Sequence, residues 1–347
     1  MKLLSIKLTG YRNHKNFTCD FGPNTTQLVG PNGIGKTNIL EAIHLMSTTK
    51  ASRSKYDVEL INHNEMLARV ELTCEIKGEI ENLELVIVRS DKFENGSKKL
   101  AKINKTAKPL NKFVGTFNSV LFTPTDIQII TGAPTLRRHY IDSILYQIDR
   151  DYKNQHTKYI KAIRHRNKIL EKISNEHRGM DEIGFWTQEI LVSGSNIQAK
   201  RVELFSELGD GLLQNMRELN SNNDKYELKY LMNEISRDRL EKYKEKEIYA
   251  KTTLVGPHRD DFIIEFNGKN IAHFGSRGQQ RTTLLGLKIS EIQFIERKTG
   301  NKPVLLLDDI FSELDPNHRT AVESITKLQQ TIISTAHEAG ETLEITS

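Results

Sequence analysis

An octapeptide near the start of the chain restricts the fold more than any other feature. It fits the pattern Gly-x-x-x-x-Gly-Lys-Ser/Thr and reads Gly30, Pro31, Asn32, Gly33, Ile34, Gly35, Lys36, Thr37. A strand-like segment precedes it and an apolar-periodic, helix-like segment follows it. In such a loop the glycines let backbone N–H groups surround phosphates, Lys36 neutralises β/γ charge, and the Thr37 hydroxyl can ligate Mg²⁺. The alternative is a Gly-rich hairpin turn with a chance lysine, but the flanking elements favour an ATP- and Mg²⁺-binding loop in which Lys36 is also catalytic.

Two carboxylates follow a short apolar run far along the chain. Residues 304–307 are all apolar, which is typical of a buried parallel strand, and Asp308 and Asp309 come next. This order predicts both carboxylates at the carboxyl edge of a sheet, beside the phosphate loop. We expect Asp308 to hold Mg²⁺ directly or through water, and Asp309 to orient and deprotonate the attacking water. The alternative is an acidic helix cap.

The phosphate loop and the acidic strand lie far apart in the sequence. In many small P-loop kinases and GTPases the acidic strand follows within about a hundred residues. Here the two halves of one site come from opposite ends of the chain. This spacing argues against a small-molecule kinase.

Hydrophobic periodicity divides the chain into three parts. Residues 3–8, 70–76 and 83–88 alternate like strands, and so do residues 262–266 later on. From Thr135 to Ile163 apolar residues recur at helical spacing and predict one long amphipathic helix. A second helical stretch runs from Phe185 to Leu212, with Gly194 as its weak point, and a further helix is expected at 281–297. We therefore expect an α/β fold: an ATPase domain formed by residues 1–130 and 251–347, with an α-helical domain inserted at 131–250.

Composition excludes several classes of protein. The formal charge of +5 leans toward polyanionic partners, although an ordinary solvated surface explains it equally well. Two cysteines are too few for a disulfide framework or a thiolate zinc site. The sequence contains neither an uncharged apolar run of about eighteen residues nor an N-terminal secretion signal. These features predict a cytoplasmic protein without a membrane partner.

A third loop lies about thirty residues before the acidic strand. Its Ser276-x-Gly278-Gln279 core resembles the signature loop of ABC-type ATPases, in which a helix N-terminus offers hydroxyl and N–H groups to a γ-phosphate. Alone the match is weak, because Ser-x-Gly is also an ordinary helix start. The position of the loop in the chain is what favours the functional interpretation.

Four further blocks make a family resemblance specific. They are Tyr11-Arg12-Asn13, residues 132–138 (Gly-Ala-Pro-Thr-Leu-Arg-Arg), residues 256–261 (Gly-Pro-His-Arg-Asp-Asp) and residues 308–315 (Asp-Asp-Ile-Phe-Ser-Glu-Leu-Asp). With the three loops, they make nearly the whole chain similar to the RecF family, relatives of the SMC and Rad50 ATPases without the long coiled coils. The resemblance implies a P-loop ABC/Rad50-like ATPase head with an inserted helical domain, slow ATP hydrolysis, an ATP-dependent homodimer, and binding of single-stranded and double-stranded DNA. It also implies repair at single-strand gaps with RecO and RecR, to help load the RecA recombinase.

The resemblance assigns roles to particular residues. Ser276, Gly278 and Gln279 would contact the γ-phosphate held by a partner copy, residues 312–315 would lie along the dimer seam, and Arg12 would sit near the nucleotide phosphates. The chain departs from the family pattern at Arg277, where Gln is usual, and at Thr125, which replaces an acid and leaves Asp126 in an expected switch loop at 123–128. We interpret His337 as a surface histidine and not as a phosphate contact.

The DNA contacts and the class of partner stay open at this level. Candidate phosphate contacts are Arg137, Arg138, Lys161, Arg164 and Arg166. A charged, solvated helix face is an equal alternative for them. The competing functions are an ABC-type ATPase subunit that drives another partner, such as a transporter or an SMC-like complex, and a DNA-binding module without enzymatic activity.

Overall fold

The chain folds into two compact units in a computed structural model, which describes residues 1–54, 56–92, 96–219, 224–312, 316–335 and 342–344. The split unit consists of Met1–Ile127 and Leu284–Ser347, and the inserted unit consists of Gln128–Thr283. The inserted unit corresponds to the helical domain that the sequence predicts at 131–250, but its limits in the structure are 128 and 283. No helix among the described residues has the length and apolar character needed to cross a membrane.

Strands and helices are numbered in chain order. The strands are β1 (Lys2–Tyr11), β2 (His14–Asp20), β3 (Thr25–Val29), β4 (Leu67–Ile76), β5 (Glu79–Arg89), β6 (Ser97–Ile103), β7 (Thr106–Lys108), β8 (Ser119–Phe122), β9 (Tyr226–Leu231), β10 (Asp261–Phe266), β11 (Lys269–Asn270), β12 (Val304–Asp308), β13 (Thr331–Thr335) and β14 (Thr342–Glu344). The helices are α1 (Lys36–Thr48), α2 (Leu110–Phe113), α3 (Gln128–Thr131), α4 (Pro134–Ile148), α5 (Arg150–Glu176), α6 (Ile183–Leu219), α7 (Arg237–Ala250), α8 (Ile271–Phe274), α9 (Arg277–Thr299) and α10 (Pro316–Thr326).

Two sheets form the split unit. One is antiparallel, in the order β2-β1-β4-β5-β6-β7, and the other is parallel, in the order β14-β3-β13-β12-β8. In the parallel sheet β12 lies between β13 and β8, and all five of its residues are buried. The prediction of a buried parallel strand at 304–307 is therefore confirmed.

Helix α1 packs against both sheets of the split unit. It contacts β4 of the antiparallel sheet and β8, β12 and β13 of the parallel sheet. All residues from Ile39 to Thr48 are buried, as expected for a helix that is enclosed on several sides. This packing fixes the N-terminus of α1 directly after β3, at the carboxyl edge of the parallel strands.

A buried glutamine connects distant parts of the split unit. The side-chain Nε2 of Gln330 donates to Leu3 O (2.7 Å) and Gly22 O (2.7 Å), and Leu3 N donates to its Oε1 (2.6 Å). Gln330 immediately precedes β13, whereas Leu3 belongs to β1. The antiparallel and parallel sheets are thus linked by hydrogen bonds as well as by apolar packing.

The inserted unit combines helices with a small sheet. Helices α5 and α6 pack along each other, α4 packs on α5, and the sheet β11-β10-β9 contacts α6 through β9. Strand β10 pairs with β9 in an antiparallel register from Asp261↔Leu231 to Phe266↔Tyr226. Because of this pairing, residues 251–283 belong to the inserted unit, beyond the expected limit at residue 250.

The single long helix expected from Thr135 is wrong, because two helices occupy this region. Asp149 separates α4 from α5 with an extended backbone (φ −134°), and its carboxylate accepts a hydrogen bond from Tyr152 N at 2.9 Å. Asp149 is therefore the N-cap of α5. The apolar spacing continues through the break, which is why periodicity alone did not show it.

The expected weak point at Gly194 is also wrong. Helix α6 continues through this residue. A Cβ atom at Gly194 would lie 2.9 Å from Ile235 Cδ1 and 3.1 Å from Tyr159 Cε2. The glycine therefore permits close packing of α6 against its neighbours.

The block at 256–261 lies in a buried ionic network of the inserted unit. Arg201 Nη1 contacts Asp260 Oδ2 at 2.9 Å, and Arg201 Nη2 contacts Asp142 Oδ1 at 2.9 Å. Burial disfavours the charge on Asp142, but His156 and Arg201 hold its pKa well below the usual range. Buried charges need such partners. This sequence block therefore has a structural role.

Candidate nucleotide-binding site

The loop from Gly30 to Thr37 connects β3 to α1 as predicted. Gly35 directly precedes α1 and has a left-handed backbone (φ 109°). A Cβ atom there would lie 2.6 Å from Asn13 Nδ2. Only glycine combines this backbone with this close approach.

Residues of the β1–β2 turn hold the loop in place. Asn13 Nδ2 donates to Ile34 O at 2.8 Å, and Asn38 Nδ2 donates to Asn13 Oδ1 at 2.7 Å. The His14 Nε2–H donates to Gly35 O at 3.1 Å, and burial lowers the pKa of His14, which favours its neutral form. The loop is thus fixed by side chains that the phosphate-loop pattern does not contain.

The ammonium of Lys36 lies over the loop. Its Nζ donates to Gly30 O and to Pro31 O, the latter at 3.1 Å. A lysine in this position is within reach of anionic oxygens that the loop encloses, and the N-terminus of α1 adds the partial positive charge of its dipole.

Thr37 and Asp308 meet although 271 residues separate them in sequence. Thr37 Oγ1 donates to Asp308 Oδ1 at 2.7 Å, and Ser334 Oγ donates to the same oxygen at 2.7 Å. Asp308 ends β12 and is 6% exposed. A hydroxyl and a carboxylate side by side are oxygen ligands of the kind that Mg²⁺ uses in phosphate sites, where waters and phosphate oxygens complete the coordination. Both residues predicted to bind the metal therefore fit that ion.

Asp309 occupies a different environment from Asp308. It is exposed, its backbone is left-handed (φ 48°), and its N–H donates to Ser334 O (3.2 Å) and Ser334 Oγ (3.1 Å). Aspartate and asparagine tolerate this backbone region better than most residues. The turn in the chain directs Asp309 away from the buried position of Asp308.

These residues line one cavity of about 270 Å³ in the split unit. Its walls combine phosphate-loop residues, residues at the ends of β12 and β13, and one arginine: Asn32, Gly33, Gly35, Lys36, Thr37, Asn38, Arg53, Asp308, Asp309, Ser334. Two cations, two carboxylates and a helix N-terminus thus converge on one space. The sequence predicted seven of these residues at the nucleotide site: Asn32, Gly33, Gly35, Lys36, Thr37, Asp308 and Asp309.

Arg53 lines the cavity, whereas Arg12 lies beside it on the same glutamate, Glu41. The guanidinium Nη2 of Arg12 lies 3.0 Å from Glu41 Oε2 and 3.0 Å from Ser54 Oγ, and Arg12 does not line the cavity. Arg53 lines it while its Nε also contacts the buried Glu41. Arg53, Asn38 and Ser334 were missed, because none of them stands within a recognisable motif.

The Ser276 loop begins α9 with a reciprocal cap. Ser276 N donates to Gln279 Oε1 at 2.8 Å, and Gln279 N donates to Ser276 Oγ at 3.2 Å. This is a capping box of the Ser-x-x-Gln type. Ser276, Arg277 and Gly278 are exposed, and Gln279 is half-buried. The loop therefore does form an ordinary helix start, which was the alternative to a signature loop in the sequence analysis.

The expected switch loop includes a set of polar contacts in the split unit. Asp126 accepts from Thr123 N (3.0 Å) and Thr123 Oγ1 (3.1 Å), and the buried Lys288 lies 3.4 Å from Asp126 Oδ2. Thr125 contributes a contact to Thr123 Oγ1 at 2.9 Å. Residues 313–315 of the expected dimer seam and His337 lie outside the described residues.

Two candidate DNA contacts form ion pairs within the inserted unit, which favours a structural role for both. Arg137 makes a bidentate pair with Asp261 (2.6 and 2.8 Å), and the buried Arg166 binds Glu247 at 2.6 Å. Arg138 is half-buried and donates to Asp260 O at 2.9 Å. Lys161 and Arg164 are exposed.

The strand–loop–helix unit and the acidic strand end define the class of protein as an α/β, ABC/Rad50-like P-loop ATPase. In agreement, residues 2–344 match the family described as RecF/RecN/SMC N terminal domain. The chain is 33% identical to the DNA replication and repair protein RecF of Agathobacter rectalis, over 96% of this chain and 92% of the relative. It is 34% identical to the RecF of an Exiguobacterium species, over 98% and 94% of the two chains. The chain belongs to the RecF family.

Solved structures agree with this assignment. One described as the recombination mediator protein RecF-ATPrS in RecFOR pathway has a TM-score of 0.90 and 30% identity, and the match covers 99% of this chain and 96% of that chain. An SMC head bound to the C-winged helix domain of ScpA has a TM-score of 0.53 at 17% identity, which shows the fold alone.

Proposed function

We propose that this chain is an ATP-dependent DNA-binding clamp of recombinational repair, which dimerises on ATP and acts at single-strand gaps to help load the RecA recombinase. The observation that carries the proposal is the 2.7 Å contact between Thr37 Oγ1 and Asp308 Oδ1. It supports one metal-nucleotide site built from both ends of the chain. Homology to RecF proteins of DNA replication and repair supports the pathway.

The site's own residues suggest how ATP is held and cleaved. Lys36 would exchange its two carbonyl contacts for β/γ-phosphate oxygens, and Thr37 and Asp308 would hold Mg²⁺, which offsets phosphate charge. Asp309, exposed in the same cavity, would accept a proton from the attacking water. The water oxygen then bonds to the γ-phosphorus as the bond to the β-phosphate oxygen breaks, giving ADP and phosphate. We expect this ATPase to be slow and linked to DNA.

The dimer supplies the other half of each site in this proposal. Ser276, Gly278 and Gln279 of a partner copy would offer a hydroxyl and N–H groups to the γ-phosphate, which the exposure of Ser276 and Gly278 at the start of α9 supports. Hydrolysis removes that bridging phosphate. ATP would therefore close the clamp, and ADP would open it.

DNA would be held mainly through its phosphates. Exposed cations of the inserted unit such as Lys161 and Arg164 support contacts that depend strongly on salt and weakly on sequence. The related solved structure is described within the RecFOR pathway, which supports RecO and RecR as partners.

Light scattering of the purified protein with no nucleotide, with ADP, and with ATP and Mg²⁺ tests the clamp. We expect a dimer only with ATP and Mg²⁺. Lys36→Ala should lose tight ATP binding, whereas Ser276→Arg should bind ATP and remain a monomer. Ser195→Arg, at an exposed serine of α6, is the matched control and should dimerise normally. Dimerisation of Ser276→Arg with ATP and Mg²⁺ to the same extent as the parent protein would refute the scheme.

Asp309→Asn separates catalysis from metal binding. Asparagine tolerates the left-handed backbone at this position, so the substitution removes the charge without new strain. We expect the variant to bind ATP and Mg²⁺, dimerise, and hydrolyse slowly enough to remain dimeric. A variant that fails to bind Mg-ATP would identify Asp309 as a metal ligand.

A further inference from the structure

An aromatic cluster of two exposed rings, His165 and Phe185, and the half-buried Trp186 lies where α5 and α6 pack together in the inserted unit. Trp186 stacks on His165, with ring centroids 4.3 Å apart and an interplanar angle of 8°. Phe185 stands edge-on to Trp186 at 5.0 Å and 82°, and it is 63% exposed. Burying such rings is favourable, and adjoining apolar rings at the surface with polar residues around them indicate an interaction site.

Cations flank the aromatic cluster on α5. Lys161 and Lys168 stand four residues before and three residues after His165, so all three share one helix face. Both lysines are exposed, and no ion pair to either is present within the described part of the chain. Lys172, one turn further, is paired with Glu182 at 2.8 Å. Residues 158–168 contain no acidic side chain.

We propose that these residues, the hairpin patch (Lys161, His165, Lys168, Phe185, Trp186), bind single-stranded nucleic acid. An unpaired base stacks on the exposed Phe185 ring, while Lys161 and Lys168 contact the phosphates on either side. Stacking platforms beside cationic tracks are the usual means of holding single strands. Protein interfaces, in contrast, are depleted of lysine at their centres. Bases of an intact duplex are stacked inside the helix and cannot reach such a ring.

The hairpin patch deepens the proposed function, because it names the form of DNA that this surface takes. It assigns single-strand binding to a part of the chain outside the nucleotide site. A failure of the patch and a failure of the clamp can therefore be told apart.

Trp186 provides a direct probe, since it is the sole tryptophan of the chain. Its fluorescence is followed while the protein is titrated with a thymidine oligonucleotide, an abasic oligonucleotide of equal length and a blunt duplex of equal length, without ATP. We expect quenching by the thymidine strand, with an affinity about tenfold above that for the abasic strand, which corresponds to about 1.4 kcal/mol. The duplex should leave the emission unchanged.

Substitutions locate the contact, with affinity measured by anisotropy of labelled oligonucleotides. Phe185→Ala should weaken binding of the thymidine strand about tenfold and leave the abasic strand unaffected. Val202→Ala changes an apolar residue of the same helix that is 49% exposed, and it should bind like the parent protein. Lys168→Gln should weaken both strands and reduce the slope of log affinity against log salt by about 0.7.

Two results would overturn the hairpin patch. They are equal affinity of the parent protein for thymidine and abasic strands, and unchanged binding of the thymidine strand by Phe185→Ala. If either occurs while ATP-driven dimerisation persists, the patch is refuted and the clamp stands. If the patch binds the thymidine strand as expected while the protein stays monomeric with ATP and Mg²⁺, the proposed ATP-dependent clamp is refuted instead.

Discussion

Removal of the buried Arg166 side chain tests whether this residue serves stability or DNA binding. Its guanidinium donates to Thr187 Oγ1 (3.2 Å), Thr253 Oγ1 (2.8 Å) and Glu247 Oε2 (2.6 Å). The Glu247 side chain is 0% exposed, and its other oxygen accepts from Leu254 N at 2.7 Å. Arg166→Met would therefore leave a carboxylate enclosed by protein with no cation beside it.

The expected loss of stability follows from that unpaired charge. Breaking a buried ion pair by removing one partner costs about 3–5 kcal/mol, mainly through the desolvation of the remaining charge. For a unit of this size each kcal/mol lowers the melting temperature by about 2–4 °C, so the expected decrease is about 6–20 °C. The double variant Arg166→Met with Glu247→Gln should be more stable than Arg166→Met alone, because no lone charge remains.

Calorimetry and DNA titration together decide the role of Arg166. Arg166→Met should melt early, yet at temperatures where it is folded its DNA affinity should keep the salt dependence of the parent protein. Lys161→Gln, at an exposed cation on the same helix, should show the reverse: normal melting and a smaller salt slope. A normal melting temperature for Arg166→Met, combined with weakened DNA binding, would refute the structural role.

Two further predictions concern the phosphate loop and the response to pH. Gly35→Ala should lose ATP binding, measured by calorimetry. The new Cβ would clash with Asn13, and alanine avoids the left-handed backbone of this position. An unchanged affinity for ATP would contradict the assignment of the phosphate loop. Burial lowers the pKa of His258 to about 4, against the effect of its bond to Thr253 O. The unfolded chain takes up this proton near pH 6.5, so the free energy of unfolding should fall as pH drops from about 6.5 to about 4, by up to about 1.4 kcal/mol per pH unit. Denaturant titrations at several pH values should show that the free energy of unfolding depends less on pH in His258→Gln than in the parent protein. An equal pH dependence in the two proteins would exclude His258 as the cause.

Local patterns were sufficient to predict the elements around the nucleotide site. The phosphate loop, its position between a strand and a helix, and the buried strand that ends at Asp308 are all encoded within short segments. Alternation likewise predicted β1, β4, β5 and β10. These features depend on periodicity and on glycine backbone freedom, which a single sequence displays directly.

Contacts between distant residues could not be predicted in this way. Arg53 lies beside Glu41 and the cavity because of how a loop folds back, and Arg166 meets Glu247 across 81 residues. In sequence a buried arginine looks the same as an exposed one, which is why Arg137 and Arg166 were expected on the surface. The break at Asp149 was missed because a capping aspartate is compatible with the helical spacing on both sides.

The central position of β12 and β13 has a consequence for synthesis on the ribosome. These strands lie between β3 and β8, and Gln330 is bonded to Leu3, so the parallel sheet stays incomplete until residues 304–335 have emerged. The inserted unit comprises one continuous stretch, 128–283, and is free to fold earlier. A nascent chain therefore carries its phosphate loop without Asp308 and Asp309 until β12 has emerged, and the proposed nucleotide site cannot be complete before that point.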